Sequence, residues 1–333
     1  MLFKEKLKSN SKIFLDGGNG SEIAKLGGEM SPAFSALASI LSPEIVIKVH
    51  EKFIDAGCDL ITANTFSSTR HNLESINRGD EVKEFIIQSL KLSRQAIQNK
   101  GKESKIGIAG SLSNFFSLKE NEFVPNPKYI PSFKQEEQNY KEAAKILKEE
   151  GVDILILEML LDIDHSKILL NAALETDLPV WVGLSSCISK FDNSVIGRNF
   201  SAEKETSLIY DETKYKEQPK FIPDDKIVLL NDIVKSLTNM GGDVYGIMHT
   251  WFVDAFEGLS VIKNNWNGPM MFYPEIHKFD TKSHKAIVTS TEEEFVNECE
   301  KLIDNQIQIV GGCCGVTDKH LKKLIETLSL IHI

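Results

Sequence analysis

Eight short apolar runs rich in β-branched residues recur along the chain: KIFLD at 12–16, DLITA at 59–63, KIGIAG at 105–110, DILILE at 153–158, VWVGL at 180–184, DVYGIM at 243–248, PMMFY at 269–273 and QIQIV at 306–310. Each is too short for a helix, and each is nearly continuous in apolar character, as a parallel strand buried on both faces must be. Between them lie stretches with helical periodicity. Pro43 to Ala56 follows Ser42, an N-cap residue type with proline behind it, and puts Ile45, Val49, Phe53 and Ile54 on one stripe. Glu81 to Gln98, Ser132 to Glu150, Asp164 to Leu174, Asp225 to Met240, Thr291 to Asp304 and Thr317 to Leu328 read the same way. Strand and helix in alternation predict an α/β fold, a (β/α)8 TIM barrel forming a single domain over residues 1–333. A doubly wound sheet is the runner-up, without a G-x-G-x-x-G after the first run to favour it.

A barrel of this kind carries its chemistry at the C-terminal ends of its strands. The residues there are Asp16-Gly17-Gly18-Asn19-Gly20 after the first run, Asn64-Thr65-Phe66 after the second, Glu158 ending the fourth, His249 after the sixth and Gly311-Gly312-Cys313-Cys314-Gly315 after the eighth. One segment breaks the order. Residues 202–223 are rich in Lys, Glu and Tyr without a period, and read as a long βα loop insertion, either a lid over the mouth or a solvated excursion.

Composition narrows the function classes. With 38 basic and 48 acidic residues the formal charge is -10, which disfavours nucleic acid and anionic membrane as partners and leaves small molecules, in a chain compatible with a homo-oligomer. The N-terminal stretch has no apolar run of signal-peptide length, so a cytoplasmic location is expected. Five cysteines, an odd number, do not make a secreted disulfide framework.

A vicinal thiol pair between glycines at a strand end needs another explanation. Two thiolates suit zinc, whose catalytic sites use a third protein ligand and leave one position open. Cys58, Cys187 and Cys299 are the other cysteines, and His249 is placed at least as well as any of them. A thiol held in the open position would be stabilised as thiolate, and a methyl group approaching in line would complete a transfer.

The order DGGNGSE at 16–22, PE…VH…AG at 43–57, ITANTF at 61–66, ILEML at 156–160 and GGCCG at 311–315 resembles the homocysteine S-methyltransferase family over roughly residues 10 to 328. That family contains betaine-dependent and S-methylmethionine-dependent enzymes and the N-terminal module of cobalamin-dependent methionine synthase, all zinc enzymes on (β/α)8 barrels. The resemblance implies Zn2+ as cofactor, Cys313 and Cys314 as zinc ligands, and Asp16, Gly17 and Glu158 as contacts for the amino and carboxylate groups of homocysteine. Phe66, Phe115, Phe116, Trp251 and Tyr273 offer aromatic faces to a sulfonium or quaternary ammonium donor, with Glu275 to reinforce them; Phe66 and Tyr273 are the substrate-binding candidates among them.

The resemblance fails in places that matter. Where the family usually has Gly-x-Asn-Cys, this chain reads Gly246-Ile247-Met248-His249, so histidine stands at the first zinc-ligand position. Neutral imidazole binds zinc well, and the site would be one unit less negative than a three-cysteine site, making its thiolate a weaker nucleophile. The third run is followed by Ser111-Leu112-Ser113-Asn114-Phe115-Phe116 in place of a glycine-proline turn, and the seventh by Tyr273-Pro274-Glu275 where Tyr-Pro-Asn is usual. The chain stops one helix after GGCCG, which leads us to expect a free small-molecule donor. The expectation is a zinc-dependent methyltransferase for methionine biosynthesis, with His249, Cys313 and Cys314 on the metal. Its alternatives are another thiol acceptor, a separate corrinoid protein as donor, and a non-catalytic ligand-binding barrel.

Overall fold

Inward and outward residues alternate along each strand run, and that alternation decides how the runs assemble. The computed structural model describes residues 2–9, 11–119, 125–199, 202–204, 208–209, 227–280, 285–302 and 306–331. Among them, eight parallel strands form one sheet: β1 (Ile13–Phe14), β2 (Leu60–Thr62), β3 (Gly107–Ser113), β4 (Ile154–Leu160), β5 (Val180–Leu184), β6 (Val244–Trp251), β7 (Met270–Glu275) and β8 (Ile307–Val310). Neighbours in sequence are neighbours in the sheet, β1 pairs with β8, and a parallel bridge from Leu15 to Leu60 joins β1 to β2. The sheet therefore closes on itself, as the eight runs predicted.

Outside the sheet run α1 (Pro43–Ala56), α2 (Val82–Asn99), α3 (Phe133–Glu149), α4 (Asp164–Leu174), α5 (Leu230–Thr238), α6 (Phe252–Lys263), α7 (Glu292–Leu302) and α8 (Asp318–Ile331), one after each strand. Seven match the periodic stretches. The eighth, α6, escaped the sequence reading because its apolar residues do not keep to one stripe: Phe252, Ala255, Leu259 and Ile262 are buried, while Val253 is 57% exposed. At α1, Ser42 does not cap with its side chain; its hydroxyl accepts the backbone N–H of Glu29, and the helix ends on Gly57 at φ 104°. Among the described residues no helix is long and apolar enough to cross a membrane.

Two apolar layers follow from the alternation. On β4, Ile154 and Ile156 point into the barrel with Ile13, Leu15, Leu60, Trp181 and Met271, while Leu155 and Leu157 point out against the helices. A helix at Leu2–Lys8, not foreseen from the sequence, plugs the bottom: Phe3 packs edge-on to Trp181 at 6.2 Å, and its ring fills the space a side chain at Gly107 would need. Such burial contributes roughly 2 kcal/mol per large side chain.

After β5 a hairpin of Ser186–Ile188 and Val195–Gly197 rises from the mouth. In the expected 202–223 insertion, Leu208–Ile209 pairs in parallel with Phe279–Asp280 of a strand at His277–Asp280; residues 205–207 and 210–223 lie outside the described residues.

Candidate active site at the barrel mouth

The same alternation carries polar residues to the upper rim. Glu158 continues the inward series Ile154, Ile156 on β4, Ser111 continues Ala109 on β3, Thr62 continues Leu60 on β2, and Tyr273 continues Met271 on β7. His249 does not belong to such a series. Val244 and Met248 face inward on β6, so a regular strand would turn residue 249 out towards the helices. Instead His249 adopts φ 44°, a left-handed conformation rare for a non-glycine residue, and its imidazole comes round to the mouth. A similar irregularity follows Glu158, where Met159 sits at φ 58° and the pairing of β4 with β5 slips between Leu157 and Leu160. Bulges of this kind re-aim side chains beside binding sites.

One pocket is lined by Gly17, Asn19, Phe34, Phe66, Glu158, His249, Tyr273, Cys313 and Cys314, among others. It thus gathers seven of the eight residues singled out from the sequence. The His249 Nδ1 lies 3.2 Å from Cys313 Sγ, which is 3.8 Å from Cys314 Sγ. The His249 Nε2 lies 2.7 Å from Glu158 Oε2, and the other carboxylate oxygen of Glu158 accepts a short hydrogen bond from the Ser111 hydroxyl. Gly315, at φ 88°, makes the turn that lets both thiols face the pocket.

Asp16, the eighth, lies behind the lining and is fully buried. Its carboxylate accepts the Thr62 backbone N–H at 2.7 Å, the Asn19 amide at 2.7 Å, the Thr62 hydroxyl at 2.9 Å and the Tyr273 hydroxyl at 3.2 Å. Burial pushes the Asp16 carboxyl up to about 7, against the pull of those hydrogen bonds. Tyr273 also donates to the Gly17 carbonyl at 2.9 Å, so Asp16 and Tyr273 tie β1, β2 and β7 together beneath the pocket. Burial, helped by Cys314 and the carboxylates of Glu275 and Glu158, pushes the Cys313 thiol up.

Two residues central to the mouth were not anticipated. Arg198, just past the hairpin, donates from Nε to Glu203 at 2.9 Å and from Nη1 to the His249 carbonyl at 2.5 Å, with Glu275 at 2.7 Å from the same nitrogen. Burial raises the Glu275 carboxyl, but the charge of Arg198 beside it outweighs burial and holds it below its ordinary value. Glu275 is therefore committed to Arg198. Phe34, at φ 51° in an irregular segment tied to β2 by the Asn64–Ser35 hydrogen bonds, joins Phe66 and Phe115 in an aromatic group with centroids 5.3 to 6.1 Å apart. No periodicity marks either residue, and only the closed barrel brings them to the site.

The aromatic faces expected to meet a donor separate into groups. Phe66 and Phe115 belong to the mouth, and Phe66 lies 5.3 Å from the His249 ring. Phe116 packs instead between His71 and His165, and Trp251 is already covered by the Lys278 ammonium at 4.2 Å. Cys58, Cys187 and Cys299 are buried away from the pocket in apolar surroundings, so among the cysteines only the vicinal pair faces it.

Would these residues suit zinc? Two zinc–sulfur bonds of about 2.3 Å at a tetrahedral angle set the sulfurs about 3.8 Å apart, and a sulfur and a nitrogen about 3.5 Å apart. The Cys313–Cys314 spacing of 3.8 Å meets the first value and the His249–Cys313 spacing of 3.2 Å falls just short of the second. Among the described residues no three His, Cys, Asp or Glu side chains are grouped closely enough to hold a metal ion between them. Two thiols and an imidazole are a donor set that suits zinc, and the sulfur–sulfur spacing is the one a shared ion requires.

Fold and site together define a (β/α)8 barrel enzyme with its thiols and an imidazole at the C-terminal mouth. The profile of the family described as homocysteine S-methyltransferase matches residues 13–208 and 230–328, and the chain belongs to that family of thiol methyltransferases. Relatives include a selenocysteine methyltransferase of Astragalus bisulcatus, 22% identical over 94% of this chain and 91% of its own length, and homocysteine S-methyltransferase 2 of Arabidopsis thaliana, 20% identical over 94% and 92%. The metallated form of the homocysteine methyltransferase MmuM from Escherichia coli superimposes with a TM-score of 0.67, at 16% identity over 98% of this chain and 99% of that one. At that identity the likeness speaks for the fold.

Proposed function

We propose that the protein moves a methyl group from a small sulfonium or quaternary ammonium donor to homocysteine, giving methionine, with Zn2+ held by His249, Cys313 and Cys314. The observation that carries the reading is the His249–Cys313–Cys314 trio in the pocket, at 3.2 and 3.8 Å. Bound zinc would keep the acceptor sulfur as thiolate at neutral pH, where a free thiol with a pKa of about 8.5 is mostly protonated.

The chain's own residues supply position. The glycines at 17 and 18 bring backbone close to the pocket, and a side chain at either would collide with the Val316 or Cys313 carbonyl. Phe34 and Phe66, with Phe115 packed against both, present apolar, electron-rich faces to the pocket, where a positively charged methyl donor gains cation–π attraction. Holding donor methyl and acceptor sulfur in line accounts for much of such a rate. Asp16 and Tyr273 keep the floor of the pocket rigid, and Asn19, on the lining, ties Asp16 to it.

Metal analysis of the purified protein beside His249→Ala tests the site: about one zinc per chain, lost in the variant, is expected. Full zinc retention in the variant removes His249 from the ligand set. Labelled methyl transfer from S-methylmethionine, glycine betaine and dimethylsulfoniopropionate to homocysteine tests the reaction, and transfer from none of them would sink it. Selenocysteine belongs in the acceptor panel, because one relative is a selenocysteine methyltransferase.

A further inference from the structure

The direction of the His249 ring is not set by its strand. A left-handed residue persists in a β-strand only when its surroundings over-determine it. Three contacts do so here. Arg198 Nη1 donates to the His249 carbonyl at 2.5 Å, the Phe66 ring lies 5.3 Å from the imidazole at an interplanar angle of 33°, and Glu158 Oε2 lies 2.7 Å from Nε2. The first fixes backbone and the second limits the ring plane. Glu158 is the contact that distinguishes one ring nitrogen from the other.

Glu158 is well placed for that task. It points inward on β4, its second oxygen is held by the Ser111 hydroxyl, and its side chain is 8% exposed. A carboxylate has no proton to give, so the hydrogen between Glu158 and His249 belongs to Nε2, and a neutral ring then carries its lone pair on Nδ1. Nδ1 is the nitrogen 3.2 Å from Cys313 Sγ; Nε2 is 3.9 Å away.

We propose that Glu158 is a positioning residue for His249: it accepts the Nε2–H hydrogen bond, fixes tautomer and ring direction, and so presents Nδ1 to the thiol pair as a metal-ligating atom. The inference rests on the zinc reading given above for its consequence, though not for its geometry. It gives Glu158 a task besides the substrate contact that the family resemblance implies, one for which each carboxylate oxygen already has a protein partner, His249 Nε2 and the Ser111 hydroxyl. Carboxylates behind ligating histidines act this way in metal sites generally, and their loss typically weakens metal binding 10- to 100-fold.

Zinc affinity, measured by competition with a chelating dye on wild type, Glu158→Ala and Glu158→Gln, gives the first readout. The dissociation constant should rise about 10- to 100-fold in Glu158→Ala and less in Glu158→Gln, whose amide oxygen still accepts from Nε2. Equal affinity in all three overturns the proposal, and a raised KM for the thiol alongside it would return Glu158 to the substrate. The second readout needs no metal. In zinc-free protein a downfield, solvent-protected imidazole N–H proton resonance should be present in wild type and absent from both His249→Ala and Glu158→Ala. Its persistence in Glu158→Ala overturns the proposal. A wild type that binds no zinc yet shows this proton, lost in Glu158→Ala, would sink the zinc reading and leave the positioning role standing.

Discussion

Glu158 meets His249 at 2.7 Å, and Glu136 meets His165 at 2.7 Å. The two pairs have the same chemistry, the same length and similar cover, with imidazoles 14% and 12% exposed. Their surroundings differ. The first pair faces two thiols and a pocket, on backbone bent into a left-handed conformation. The second lies between α3 and α4, its imidazole packed edge-on against Phe116 and Phe133, in line with the Tyr140 and Asn114 hydrogen bonds that join those helices to β3. A carboxylate–imidazole pair by itself therefore says little about function. What the remaining ring nitrogen faces, and whether backbone strain is maintained to aim it, separates a site from a strut.

Exchanging the damage between the two pairs gives the largest expected effects. His249→Ala should abolish zinc binding and lower methyl transfer by about a thousandfold, roughly 4 kcal/mol of barrier, while the unfolding free energy falls by only about 1 kcal/mol, because Glu158 keeps its Ser111 hydrogen bond and faces the pocket. Glu136→Ala should do the reverse. Breaking a buried pair from one side costs about 3 kcal/mol of stability, and activity per folded molecule should stay within about twofold. Denaturant titration beside an initial-rate assay checks both. Activity lost from Glu136→Ala without loss of stability would erase the distinction drawn here.

Arg198→Met is intermediate and sharpens the comparison, because Arg198 belongs to both descriptions. It holds the His249 carbonyl, and it neutralises Glu203 and Glu275, which are 4% exposed each. Removing the guanidinium leaves those charges in the wall and should cost about 2 to 3 kcal/mol. Zinc affinity should also fall, by less than in Glu158→Ala, since the ring remains held by Glu158. An unchanged zinc affinity would show that the carbonyl contact does not help to aim the imidazole.

Much of this was legible in the sequence for a definite reason. Barrel strands are buried on both faces, so their runs stand out, and the residues at their C-terminal ends lie at the mouth; that is why Asp16, Glu158, His249 and the cysteine pair could be singled out together, although the inward turn of His249 depends on its left-handed backbone and has no sequence signal. Phe34 and Arg198 could not. Each sits in an irregular segment with no period to assign a direction, and each reaches the site only through contacts with distant chain, Asn64 for the one and His249 and Glu275 for the other. Helix α6 was hidden by apolar residues on its exposed face, and the plug at Leu2–Lys8 by its brevity and charge. The aromatic donor surface was too broadly drawn because aromatic residues alone do not reveal whether a cation, as Lys278 on Trp251, already covers them.

The smallest expected effect divides the second region itself. His71 and His165 flank Phe116, with ring centroids 5.8 and 5.3 Å from it, yet they should respond to pH in opposite senses. Asn139 donates to His71 Nδ1 at 3.1 Å, which makes that nitrogen an acceptor, so Nε2–H donates to the Thr69 hydroxyl and the ring is neutral. Burial lowers its pKa to about 3. His165 is pushed down by burial too, but the hydrogen bond and charge of Glu136, with Asp162 and Asp164 behind, outweigh it and hold it above 6.5. A neutral buried histidine contributes stability that is present above the unfolded-state value of 6.5 and is lost as pH falls below it. The paired histidine contributes stability that is fully present below 6.5 and is lost as pH rises through its folded value. The stability difference between wild type and His71→Asn should therefore shrink as pH falls from 6.5, and that between wild type and His165→Asn should shrink as pH rises from 6.5. The His71 slope should approach about 1 kcal/mol per pH unit, and the His165 slope should have the opposite sign. Denaturant unfolding of the three proteins from pH 5 to 8.5 measures both slopes. Parallel slopes would mean that the Glu136 carboxylate does not hold a proton on His165, and the second pair would then be a neutral hydrogen bond rather than an ion pair.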